Sequence, residues 1–219
     1  MKPSLPSFLG ASLLLSLALS GCGGADKQTV QTDEAKTVDS AQTVAARELP
    51  IDTAASQVGW EGTEGLARIT TTHNGSLAIK GGSLSVKDSQ LVAGKFEIDI
   101  NSLKNFDLEN PKKNADLVGH LKGADFFDAA KFPVATFELV SVEKMPADSL
   151  KITGNLTLKG VTKSVVFPAK VDMSGDKVTA NAKFYINRKD WGMNWHSENS
   201  LGDEMIRPEV GIELKIVTR

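Results

Sequence analysis

From Leu49 to the C terminus apolar and polar residues alternate one by one in run after run, the period of a strand with one dry face and one wet face. The cleanest run sets Val92, Gly94, Phe96, Ile98 and Ile100 against Ala93, Lys95, Glu97 and Asp99. The same alternation recurs at Leu150–Leu158, at Val165–Met173, at Val178–Ile186 and at Val210–Ile216. Earlier in the chain Val58 and Trp60 share one face, and Ile69, Thr71, His73, Leu77 and Ile79 keep the odd register through a Thr-rich stretch. Gly81-Gly82 then predicts a turn or bulge that re-aims the chain before Leu84 and Val86. Turns at Lys159-Gly160 and Ser174-Gly175-Asp176 join successive runs at hairpin distance. The expected architecture is all-β: roughly eight antiparallel strands, folded as a sandwich or closed as a barrel, with closure favoured because it removes open edges.

One stretch breaks the rhythm. Asn110-Pro111 offers an N-cap with proline at the first helical position, Leu117, Val118 and Leu121 recur at helical spacing, and Gly123 supplies a stop. The window His120–Phe137 that follows holds four of the nine Phe, so this single helical insertion and its exit loop are expected to lie across one end of the sheet and line or plug its interior. Five small residues at inward positions, Gly94, Gly154, Ala169, Ala180 and Ala182, either relieve crowding or leave room for a cavity.

The N-terminal region follows other rules. Lys2, the apolar run Phe8–Leu19 and the small residues of Leu19-Ser20-Gly21-Cys22 read as a secretion signal over 1–21, too short in its apolar part to span a bilayer comfortably. Leu-Ser-Gly-Cys resembles the bacterial lipobox, which implies cleavage before Cys22 and acylation of that cysteine. It is the only cysteine, so no internal disulfide can form. Residues 22–48, without an aromatic or a sustained period, are expected to be a solvated tether, and 49–219 the folded domain. Gly23, standing where an inner-membrane retention signal in some bacteria places Asp, points to the outer membrane. The expected location is therefore the bacterial cell envelope, on its periplasmic face.

Little in the sequence announces catalysis. His73, His120 and His196 stand far apart, and zincin, Walker and Gly-x-Ser-x-Gly motifs are absent. A triad assembles in space rather than in sequence, so an enzyme acting on a lipid head group stays among the alternatives. A net charge of −2 gives no basic footprint for nucleic acid. The stretch Tyr185–Trp195 gathers two of three Trp beside Arg188 and Lys189. Two readings stand: a rim where Trp packs a ligand tail and Arg188 pairs with an anionic head, or a strand end where Trp191 caps the barrel and Arg188 bonds Asp190 or a backbone carbonyl.

His120-Leu121 with Ala124–Asp128, Phe132-Pro133-x-Ala135-Thr136-Phe137, Gly154–Lys163, and Asn187-Arg188-x-Asp190-Trp191-Gly192, in that order, resemble the YceI-like family of exported bacterial lipid-binding proteins. The resemblance implies a lipocalin-like, extended antiparallel eight-stranded β-barrel whose apolar pore takes polyisoprenoid or other long-chain amphiphiles, and it brings no catalytic residue, metal or cofactor. Expected lipid contacts are Phe96, Ile98, Phe126, Phe127, Phe137, Leu156, Leu158, Phe184, Ile186 and Trp191, with His73, His120 or Arg188 on the polar head and Cys22 as the acylated anchor. The expected partners are a long-chain lipid and the membrane that holds the anchor; homodimerisation is left open. The competing reading is a surface lipoprotein with a filled barrel that binds a partner.

Overall fold

The computed structural model describes residues 29–39, 41, 45–66, 69–197 and 205–219. Cys22 and the signal segment lie outside them. Among the described residues ten strands form one antiparallel sheet: β1 (Thr32–Glu34), β2 (Arg47–Pro50), β3 (Gln57–Leu66), β4 (Ile69–Lys87), β5 (Gln90–Asn105), β6 (Val134–Met145), β7 (Ser149–Leu158), β8 (Val161–Ser174), β9 (Lys177–Asn187) and β10 (Met205–Val217). From β3 to β10 each strand pairs with the next, and β10 pairs back onto β3, so eight strands close into the expected barrel. β2 pairs with β4 beyond the reach of β3, and Ile51 after it bridges to Thr218 past the end of β10, with Leu49 and Ile51 buried in the core.

Bulges bend the strands enough to close. β4 runs for 19 residues because its glycines make a bulge rather than a turn: Ile79 faces Ile98, Gly81 faces Glu97, and Lys80 is left over. Gly82 takes φ +140°, and a Cβ there would fall 2.2 Å from the Lys95 carbonyl oxygen, so only glycine fits. A second bulge at Val92 reverses the local parity, so Leu91 is buried in the core and Val92 only half-buried, the opposite of strict alternation. Ile69, expected on the inward register, is 82% exposed at the outer end of the β3–β4 hairpin.

One seam of the circuit takes in a further strand. β8 pairs with β9 only over Lys170–Ser174, beside their hairpin. Farther along, β1 takes β9's place on β8, with Thr32 opposite Val165 and Glu34 opposite Lys163, while the Val30 N–H donates to the Tyr185 carbonyl of β9. Residues 30–36, expected within the solvated tether, are thus part of the wall. The cause is local: unpaired edges of β8 and β9 accept a strand, Thr32 Oγ1 donates to Asp190, Asn155 exchanges two hydrogen bonds with Lys36, and Lys163 pairs with Glu34. Too short and polar to show a period, this stretch gives no strand signal of its own.

The insertion is α1 (Pro111–Lys122), with Asn110 Oδ1 accepting from the Lys113 N–H at 3.1 Å and Gly123 at the C-cap. No residue of α1 is fully buried; Val118 and Leu121 pack against the core, and Lys122 Nζ donates to the Asn101 carbonyl. The helix covers one end of the barrel without entering it.

Candidate functional site

Alternation on eight strands delivers one dry face to the barrel interior, which holds an apolar cavity of about 120 Å³ below the α1 end. Nine of the ten residues expected to touch lipid border it: Phe96, Ile98, Phe126, Phe127, Phe137, Leu156, Leu158, Phe184 and Ile186. Trp191 does not. It is fully buried, and its Nε1–H donates to the Leu156 carbonyl at 3.1 Å, so the indole caps the wall beside the cavity.

Sequence reasoning missed other lining residues for identifiable reasons. Ala135 keeps the parity of Phe137 and was legible from it. Leu103 is out of phase with Ile100 because β5 is irregular between Asp99 and Lys104, a kink closed by Ser102 Oγ, which donates to the Asp99 carbonyl and accepts from the Ala78 N–H. Met193, in an irregular loop, carried no periodic signal.

The polar candidates are distributed differently. Arg188 borders the cavity yet is only 2% exposed, and its guanidinium donates to four backbone carbonyls, those of Met193, Trp195, Ile206 and Arg207. Its carbon stands 5.4 Å from the Phe126 ring centroid. Burial pulls its pKa below the ordinary value, and the charge of Glu209 opposes that shift; the group stays protonated. The cavity wall presents no polar surface, so the guanidinium faces the mouth loops rather than the interior. Of the two readings of this stretch, the geometry is that of a strand end pinned by Arg188 and capped by Trp191.

His73 lies off the cavity, on β4, with Nδ1 2.7 Å from Asp107 Oδ2 and Nε2 3.2 Å from Glu64 Oε1. Burial lowers its pKa, but the hydrogen bonds and charges of Asp107 and Glu64 outweigh burial and hold it above the usual value. Asp107 in turn is held low: burial raises it, and the Asn74 N–H, His73 and the Asn105 amide more than compensate. This is a clamp that ties the segment leading into α1 to the barrel wall. His120 is exposed on α1, 3.3 Å from Asp125, with its ring edge-on to Phe126 at 5.1 Å and to Trp195 at 5.5 Å. It links the helix to the Trp195 loop at the rim. No cluster of three His, Cys, Asp or Glu that could hold a metal exists among the described residues.

Two of the five small inward residues are explained by close packing. A Cβ on Gly154 would fall 2.2 Å from Phe137 Cζ, and one on Gly94 would fall 2.7 Å from Leu84 Cδ2. The other three, Ala169, Ala180 and Ala182, border a second apolar space of about 50 Å³ toward the far end.

The pattern of the YceI-like domain family matches residues 49–218. Protein YceI of Salmonella arizonae is 40% identical over 95 residues, 43% of this chain; the match spans about half the length of that relative, 47%. In fold, Burkholderia cenocepacia BcnA is similar with a TM-score of 0.56 at 22% identity, over 77% of this chain and 99% of that one. A polyisoprenoid binding domain from Saccharophagus degradans, implicated in plant cell wall breakdown, is similar with a TM-score of 0.53 at 17% identity, over 78% and 97%. With its closed eight-stranded barrel and a family match across nearly all of it, the chain belongs to the YceI-like domain family.

Proposed function

We propose that the protein binds a long-chain amphiphile, polyisoprenoid or fatty-acid-like, with its tail in the barrel and its head at the rim between Phe126-Phe127 and the Trp191–Trp195 loop. The observation that carries this reading is a cavity with wholly apolar walls, closed at one end by a helix that buries no residue of its own. The polyisoprenoid binding domain of like fold supports the same ligand class. His120 stands at that rim, 3.3 Å from Asp125 and edge-on to Phe126 and Trp195, whereas His73 is spent on Asp107 and Glu64 away from the cavity.

Energetics favour exchange over capture. Burying a methylene yields about 0.8 kcal/mol relative to water, but a tail drawn from a bilayer is already buried, so the net gain is small. A carrier of this kind works beside a membrane. Acylated Cys22 provides that location, on the periplasmic face of the outer membrane as Gly23 suggests, and several acyl chains on one residue hold firmly where one alone binds marginally.

The direct test is organic extraction of protein purified from cells and of protein incubated with prenyl alcohols, read by mass spectrometry. Lipid at near one equivalent is the expected result; its absence from both samples overturns the reading. For the anchor, Cys22→Ala is expected to move the protein from the membrane to the soluble fraction, and unchanged fractionation overturns it.

A further inference from the structure

The interior is divided rather than continuous. Phe96 and Phe137 border both the mouth-side space of about 120 Å³ and the far space of about 50 Å³. Phe96 stacks on Phe137 at 5.2 Å, Phe137 meets Phe167 at 5.8 Å, and Phe167 lies flat on Phe184 at 4.2 Å. These rings come from β5, β6, β8 and β9, so a row of Phe crosses the barrel between the two spaces. Phe137 is the inner ring of the row that also borders both spaces, and it reaches that position only because Gly154 leaves its seat free. An engineered apolar cavity of about 150 Å³ admits benzene, so the mouth-side space alone takes a compact apolar group and not an extended tail.

We infer that Phe137, seated over Gly154, is the stop that sets how long a tail the barrel holds: a short or compact tail binds against the ring, and a longer one must turn it aside to reach the space bordered by Ala169, Ala180 and Ala182. The inference rests on the amphiphile-binding reading and names the residue that sets specificity within it. Phe137, like Phe96 and Leu214, borders both spaces, whereas Phe167 borders only the far one, which separates stopping a tail from filling the core.

The test is titration calorimetry of the full chain with geraniol, farnesol and geranylgeraniol. In the wild type, affinity is expected to level off as the tail lengthens. In Phe137→Ala each added isoprene unit continues to strengthen binding, and the preference for geranylgeraniol over geraniol rises by roughly tenfold or more. Phe137→Leu, which keeps an apolar side chain in the core, is expected to shift the preference in the same direction by less, and it serves where the Ala variant does not fold. Phe167→Ala leaves the wild-type length dependence in place. Binding with the same length dependence in wild type and both Phe137 variants overturns the stop alone, as does an equal shift in Phe167→Ala. No binding at any length, in wild type or variant, overturns the amphiphile reading beneath it.

Discussion

Arg188 brings a full charge into a nearly water-free position and spends it on backbone, four carbonyls from two segments of chain. Removing it strands those acceptors, each buried unsatisfied group costing about 1–3 kcal/mol. Arg188→Ala is therefore expected to lose about 3 kcal/mol in chemical denaturation. Arg188→Lys recovers little, because three donors on one nitrogen cannot span the arc that a planar guanidinium covers. Ser164 gives the opposite expectation: its Oγ is buried without a hydrogen-bond partner, so Ser164→Ala is neutral or stabilising by up to about 1 kcal/mol in the same assay. His73 adds a pH dependence. Its pKa is raised by folding, so its contribution is complete below the unfolded value near 6.5 and fades as pH climbs through the higher folded value. Asp107 is lowered, so its share is present above its ordinary range and fades only in acid. Melting temperature is expected to fall as pH rises above the unfolded value near 6.5, and His73→Asn to flatten that slope; equal slopes in the two proteins contradict the clamp.

Among the elements, β1 and α1 have the least contact with the barrel. β1 supplies the pairing that β8 lacks where β9 has parted from it. Deleting 29–36 is expected to cost about 2–4 kcal/mol, at about 1 kcal/mol net for each hydrogen bond lost. Hydrogen exchange should accelerate at the β8 amides of 162–166, while β5, β6 and β7 stay protected. Uniform acceleration across the barrel would mean that β1 supports the whole fold rather than one seam. α1 is held by capping and by polar contacts, Lys122 to Asn101 and Asn114 to Asn105, with two apolar side chains lying on the core. That is the build of an element able to open at low cost.

At the scale of the molecule, closure decides everything else: eight strands in one circuit leave an interior shared by residues more than a hundred positions apart. The dry faces, the helix with both caps, the Phe-rich window and nine of the residues around the cavity were legible, because alternation and capping are local and each strand buries its own face. The seam was not legible. Whether Thr32 and Glu34 form a strand depends on β8 lacking a partner some 130 residues away, and nothing near them in the chain records that. Nor does the chain record what a small inward residue means: Gly154 and Ala182 look alike as text, yet one seats a ring and the other borders empty space. Arg188 left two readings open as text, a lipid head or a backbone carbonyl; its donors go to the carbonyls of Met193, Trp195, Ile206 and Arg207. The amino-acid sequence by itself determined which side of each strand is dry and where the helix interrupts them, because those follow from neighbours one to four residues apart. Only the tertiary structure decided that the dry interior is divided at Phe137 and walled by β1, because both depend on which distant groups closure brings within van der Waals and hydrogen-bond reach.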